Sequence, residues 1–185
     1  PNLLTVFRLL AAPGVALVFA ALPRPAADLA ALILFVAASV TDWLDGWLAR
    51  KLAQRSDLGR MLDPIADKML VAVALLMLSA DGTVAGVHVL AVALILAREV
   101  FISGLREFLG GAGVVVHVSA LAKWKTTLQL VATGVLVAAP AIDPAGLAMW
   151  AGLAILWAAA AATVVTGVEY LRASLPQLAG RDAAG

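Results

Sequence analysis

The sequence predicts an all-α, polytopic membrane protein: six transmembrane helices in one bundle, with both termini on the cytoplasmic side. Three observations carry this. Of 185 residues, 63% are hydrophobic types and 14% are charged, whereas a soluble domain has roughly 45–50% apolar and about 25% charged residues. Mean hydropathy is +1.01. The apolar residues fall into six long runs separated by breakers, and lysine and arginine gather in alternate links between them.

A helix needs about 20 mainly apolar residues to cross a bilayer. The first run, residues 3–22, ends at Pro23-Arg24-Pro25. The second, 27–50, passes through Leu32-Ile33-Leu34-Phe35. The third, 63–80, ends at Asp81-Gly82, and the fourth, 84–108, ends at a glycine-rich stretch from Gly110 to Gly113. The fifth, 118–139, is stopped by Pro140, and the sixth, 146–171, has Pro176 beyond it. Arg50, Lys51, Arg55 and Arg60 lie between the second and third runs. Arg106, Lys123 and Lys125 lie around the link between the fourth and fifth, and Arg172 and Arg181 lie in the tail. The other links carry Arg24 alone, with Asp81 and Asp143. Because cytoplasmic loops are rich in Lys and Arg, the basic links and both termini are assigned to the cytoplasm. An even number of spans fits that assignment. The alanine run at 158–162 reflects composition and close helix packing.

Composition also limits function. A net charge of +1 gives no nucleic-acid signal, and no such partner is expected. Cysteine is absent, which excludes a disulfide framework, a thiolate metal site and a thiol nucleophile. The length allows one transmembrane domain, 1–185, and no sizeable soluble one. No cleavable secretory signal is expected.

The informative stretch runs from Asp42 to Asp67. Asp42 and Asp45 are spaced i, i+3, with Gly46 and Ala49 on nearly the same face. Gly59, Asp63 and Asp67 are spaced i, i+4, i+8, again one helical face. A short basic turn joins the two segments, so the faces can meet as a hairpin with four converging carboxylates. One aspartate at mid-membrane costs about 2.5–3.5 kcal/mol on insertion scales, and four unpaired ones on the order of 10 kcal/mol or more. They would also repel one another. A hard divalent cation offsets both terms, and an all-oxygen site suits Mg²⁺, Mn²⁺ or Ca²⁺. Ion pairing with Arg50, Arg55, Arg60 and Lys68 is the bland alternative, but it requires no ordered spacing with small residues between. Gly46, Ala49 and Gly59 either leave a gap for a phosphate or nucleotide or simply serve helix packing. Arg50 can fork onto a phosphate.

The pattern D-x-x-D-G-x-x-A-R, eight residues, then G-x-x-x-D-x-x-x-D resembles the signature of the CDP-alcohol phosphotransferases at every fixed position. The resemblance implies two Mg²⁺ or Mn²⁺ ions on Asp42, Asp45, Asp63 and Asp67. It implies a CDP-linked donor on Asp45, Gly46, Ala49, Arg50 and Gly59, an alcohol acceptor that displaces CMP, and a homodimer. Flanking segments narrow it. Asn2-Leu-Leu-Thr5-Val-Phe-Arg8, the segment from Arg98 to Phe108, and Lys123-Trp124-Lys125-Thr126-Thr127 resemble segments of the bacterial phosphatidylglycerophosphate synthase subfamily. That implies CDP-diacylglycerol as donor, glycerol 3-phosphate as acceptor, and a place in the bacterial cytoplasmic (inner) membrane with the active site facing the cytoplasm. Asp67, last of the set, would then be the general base. Rival readings are a relative using serine or inositol phosphate, or an ion transporter built on the same carboxylates. The transporter is disfavoured because the acids lie in one hairpin with no second copy.

Other polar residues can be placed around this centre. Arg98 and Arg106 are eight apart and share a face; with Lys123 and Lys125 they could form the pocket for the acceptor's phosphate. The alternative is positive-inside anchoring with snorkelling stems. Glu99 and Glu107 would orient these arginines. Asn2 and Thr5 could line the nucleotide pocket, and the sequence leaves open whether Arg8, inside an apolar run, reaches inward. His88 and His117 are isolated, the five tryptophans read as belt or packing residues, and Asp28, Asp81 and Asp143 read as helix caps.

Overall fold

Long apolar runs in a membrane must satisfy their backbone groups within the segment, so they form helices. In the computed structural model these are α1 (Asn2–Ala21), α2 (Ala26–Leu52), α3 (Asp57–Ala80), α4 (His88–Gly111), α5 (Ala120–Ile142) and α6 (Leu147–Asp182). The structure describes the backbone of residues 2–52, 57–111, 120–143 and 146–182, and the side chains of 4–41, 61–111, 121, 124–143 and 146–176. All regular elements among these residues are helical.

Each expected run contains one helix, with shifted ends. α3 starts at Asp57, six residues before the apolar run, so Asp63 lies well inside a helix. α5 and α6 continue through Pro140 and Pro176. An interior proline removes one i→i−4 bond, which membrane helices tolerate when neighbours compensate. Among the described residues, four helices are long and apolar enough to cross a membrane: Leu4–Ala21, His88–Gly111, Trp124–Ile142 and Leu147–Pro176. α2 holds a shorter apolar run, Ala26–Thr41, and α3 is not among the four. These two helices are the ones that carry the aspartates, which lowers their hydropathy. The protein is an all-helical membrane protein with an exposed apolar perimeter that includes Leu10, Ile33, Leu76, Phe101 and Trp150.

α1 packs on both α2 and α3, and more extensively than those two pack on each other. α5 packs on α6, α2 and α3, while α4 packs on α6 and α3. Phe35, Leu75, Leu78, Ile95, Leu136 and Leu156 fill the core. Buried alanines at 11, 12, 31, 74, 91, 132, 159 and 160 let the helix axes approach. Among the described glycines the tightest fit is at Gly152, where an added Cβ would lie 2.8 Å from Leu136 Cδ2 and 3.2 Å from Val135 Cγ1. This is the steric reason that α5 and α6 can seat together.

One end of the bundle is closed by short polar turns. Arg24 reaches both Asp28, at 3.3 Å, and Asp81. Asp81 Oδ1 accepts from the Thr83 amide at 2.8 Å, and Gly82 turns the chain at φ 83°. Asp143 Oδ2 accepts from the Ala148 amide at 2.5 Å, capping α6. Asp28 differs from expectation: it lies in the first turn of α2, where a carboxylate favours the helix dipole, and pairs with Arg24. His88 is structural, its Nδ1 accepting from Trp157 Nε1 at 3.1 Å. The opposite end carries the start of α3 and the later halves of α4 and α6, and there the chemistry collects.

Candidate active site

Residues one turn apart on a helix face the same way, so Asp63 and Asp67 stand side by side on α3 and repel each other. The partner that offsets this comes from α1. Arg8 Nη2 donates to Asp63 Oδ1 at 2.9 Å and Nη1 donates to Asp67 Oδ1 at 2.5 Å. Thr5 Oγ1, one turn earlier on α1, also donates to Asp63 Oδ1, at 2.9 Å. The Arg8 side chain is 1% exposed, whereas Asp63 and Asp67 are 44% and 41% exposed. The guanidinium is thus sealed behind the acids, and the acids open away from it.

Beside Asp67 lies a cluster of cations. Lys68 Nζ donates to Ser103 Oγ on α4, and Ser103 Oγ donates to the Glu99 carbonyl at 2.5 Å. Lys125 from α5 donates to Glu99 Oε1, and Arg98 Nη1 reaches the same oxygen at 3.3 Å. Arg98 Nη2 donates to Thr166 Oγ1 on α6 at 3.2 Å. Lys68 directly follows Asp67 on α3 and reaches Ser103 on α4, which places the cluster beside that carboxylate. Arg98 and Lys125 contact the carboxylate of Glu99, and Lys68 lies near it, a strongly positive surround. Deeper still, Gln129 Nε2 donates to Thr163 Oγ1 at 2.9 Å, fully buried.

An acidic pair open to a cation and an adjacent cationic pocket suit a phosphate-bearing substrate. The donors are hard oxygens, which fit Mg²⁺ or Mn²⁺. Among the described residues no group of three or more His, Asp or Glu could hold a metal ion. The side chains of Asp42 and Asp45 lie outside those residues, although both positions fall on α2.

Comparison with known proteins gives the family. The family profile described as CDP-alcohol phosphatidyltransferase matches residues 1–165. The chain belongs to the CDP-alcohol phosphatidyltransferase family. Relatives named CDP-diacylglycerol–glycerol-3-phosphate 3-phosphatidyltransferase include one from Cereibacter sphaeroides, 45% identical over 96% of each chain. One from Rickettsia bellii is 44% identical over 94% of this chain and 93% of its own. One from Escherichia coli K12 is 40% identical over 96% of each.

Within this CDP-alcohol phosphatidyltransferase, the structure brings together part of what the sequence pointed to. Asp63, Asp67 and Thr5 meet at one centre; Glu99 holds Arg98, one of the two arginines expected of Glu99 and Glu107, and also holds Lys125. Arg106 is exposed on α4 and makes no ion pair among the described residues. The side chains of Asn2, Asp45, Gly46, Ala49, Arg50, Gly59 and Lys123 lie outside the described residues. Two phosphatidyltransferase residues stand out that spacing alone did not assign. Arg8 is the counter-charge of the acidic pair, and its signal was an arginine inside an apolar run. Lys68 enters the cation cluster, and its signal was its place next to Asp67.

Proposed function

We propose that the protein transfers the phosphatidyl group from CDP-diacylglycerol to glycerol 3-phosphate, giving phosphatidylglycerophosphate and CMP. The single observation that carries this reading is the juxtaposition of an open acidic pair, Asp63 and Asp67, with the Lys68, Arg98, Arg106 and Lys125 cluster. The names of the relatives support the choice of donor and acceptor.

Asp42, Asp45, Asp63 and Asp67 would hold divalent ions, two per site. Bound there, the metal supplies charge neutralisation for the donor's pyrophosphate and the departing CMP. Asp45, Gly46, Ala49, Arg50, Gly59, Asn2 and Thr5 hold the CDP group. Arg98, Arg106, Lys123 and Lys125, joined by Lys68, take the acceptor's phosphate. Asp67 accepts the proton from the primary hydroxyl of glycerol 3-phosphate as its oxygen bonds to the lipid-bearing phosphorus. The bond from that phosphorus to the CMP oxygen breaks, and CMP leaves. Arg8 holds the Asp67 carboxylate in place for this transfer.

The lipid tails stay in the bilayer while the head group enters from the water side. Six spans, with both termini and the site facing the cytoplasm of a bacterial inner membrane, are the matching topology, and a homodimer is the proposed assembly. The test is CMP release by purified protein supplied with CDP-diacylglycerol and a panel of acceptors. Glycerol 3-phosphate should be used in preference to serine, inositol and inositol phosphate, and EDTA should stop the reaction until Mg²⁺ or Mn²⁺ is added. Preference for another alcohol would overturn the acceptor, and full activity without metal would overturn the site.

A further inference from the structure

Arg98 is held from three sides. Its Nη1 reaches Glu99 Oε1 at 3.3 Å, and Glu99 is itself held by Lys125. Its Nη2 donates to Thr166 Oγ1 at 3.2 Å. The hydroxyl of Thr166 can accept that bond because its own proton is directed back to α6, with the carbonyl oxygens of Ala162 and Thr163 at 2.8 and 3.1 Å. The third side is Gly167. A Cβ built there would stand 3.0 Å from Arg98 Cγ and 3.3 Å from Arg98 Nε. The arginine stem therefore lies along α6 in space that only a missing side chain provides. Ordinary van der Waals contact would need a few tenths of an ångström more. Arg98 cannot yield that distance without loosening the bonds to Glu99 or Thr166.

We propose that Thr166 and Gly167 are positioning residues that seat Arg98 for the acceptor's phosphate, so that α6 sets acceptor affinity without touching the metal site. The inference rests on the glycerol 3-phosphate reading above. Neither residue touches substrate; both act through the place they give one guanidinium. Placement matters because a charged hydrogen bond to phosphate depends on distance and angle.

The test is steady-state kinetics of the full-length protein in detergent with lipid, varying one substrate at a time. Thr166→Val keeps shape and removes the acceptor oxygen; it should raise KM for glycerol 3-phosphate roughly three- to tenfold, the range of one lost hydrogen bond. Thr166→Ser should restore it. Gly167→Ala should raise the same KM, and in all three variants KM for CDP-diacylglycerol should stay at the wild-type value. Arg98→Gln serves as the reference, with an equal or larger rise for the acceptor alone. Normal acceptor KM in Thr166→Val and Gly167→Ala, beside a raised one in Arg98→Gln, overturns the seat and leaves the function standing. A rise in both Michaelis constants together, or failure of Thr166→Ser to rescue, marks a merely structural role and overturns it as well. Wild-type protein that ignores glycerol 3-phosphate overturns the function and the seat together.

Discussion

Arg8 and Asp67 are 59 residues apart in the sequence, and Arg8 Nη1 stands 2.5 Å from Asp67 Oδ1. The same guanidinium reaches Asp63, so one cation from α1 bridges two acids on α3. A carboxylate pair on one helical face is unstable alone in a membrane, and the bridge supplies part of the missing positive charge.

Removing that charge tests the bridge. Breaking a buried ion pair from one side costs about 3–5 kcal/mol, and the partial exposure of both acids brings the expected cost of Arg8→Met to the low end or below. Thermal unfolding in detergent should show a lower midpoint in EDTA. Saturating Mg²⁺ should recover much of the loss, because a ligand that binds only the folded state stabilises it by mass action. Equal destabilisation with and without metal would mean that Arg8 does not share its acids with a cation.

Asp67→Asn keeps the shape and an acceptor for Arg8 but lacks a base. General-base contributions are typically 10²–10⁴-fold, so turnover should fall by about that factor. CDP-diacylglycerol should still bind, as read by protection against heat or by competition. Near-normal turnover would move the base to another residue.

The acceptor pocket should be separable from the donor site. A hydrogen bond to a charged group contributes about 1.5–3 kcal/mol, which is roughly tenfold to a hundredfold in affinity. Arg106→Ala and Lys123→Ala should weaken glycerol 3-phosphate use by that amount, with the Michaelis constant for CDP-diacylglycerol close to normal. Normal acceptor kinetics in both would remove these two residues from the pocket.

Packing gives a prediction away from the chemistry. At Gly152 an added Cβ meets Leu136 Cγ at 2.9 Å as well as its methyl, so the clash is not confined to a flexible tip. Overpacking of this kind costs typically 1–3 kcal/mol. Gly152→Val should lower the melting temperature while the KM values of the surviving folded fraction stay unchanged. An unshifted melting curve would show that α5 and α6 can move apart freely.

Topology can be read by labelling. Cysteines introduced at Ala53 and Asp143 are the only thiols in an otherwise cysteine-free chain. A membrane-impermeant maleimide should reach them from opposite sides of the bilayer. Modification from the same side would change the span count between them.

The helices were legible because hydropathy and breakers act locally, and the Asp63–Asp67 face was legible because an i, i+4 spacing fixes neighbours on one helix. The sequence pairs Glu99 with Glu107 as orienters of the arginines, and the structure gives Glu99 that place against Arg98. Arg8 was not legible in the same way: an apolar run does not say which face turns inward, and its partners lie on another helix. Thr166 and Gly167 were invisible for a related reason, since small residues in an apolar helix read as packing until a neighbour is seen against them. The apolar run begins later than α3 because Asp57 and Arg60 lower the hydropathy of its first turn, although the Gly59–Asp63–Asp67 spacing already puts Gly59 on that helix.

The Arg8 bridge bears on how the chain is made. α3 is not among the helices that are apolar enough to qualify as spans by themselves, and its acids would enter lipid at a cost. α1 does qualify, and it leaves the ribosome before α3. An arginine already lodged in the bilayer would meet Asp63 and Asp67 as they arrive and neutralise them at the moment of entry. Biogenesis of α3 would then depend on a helix synthesised before it, with α1 acting as an internal insertion partner for the third helix.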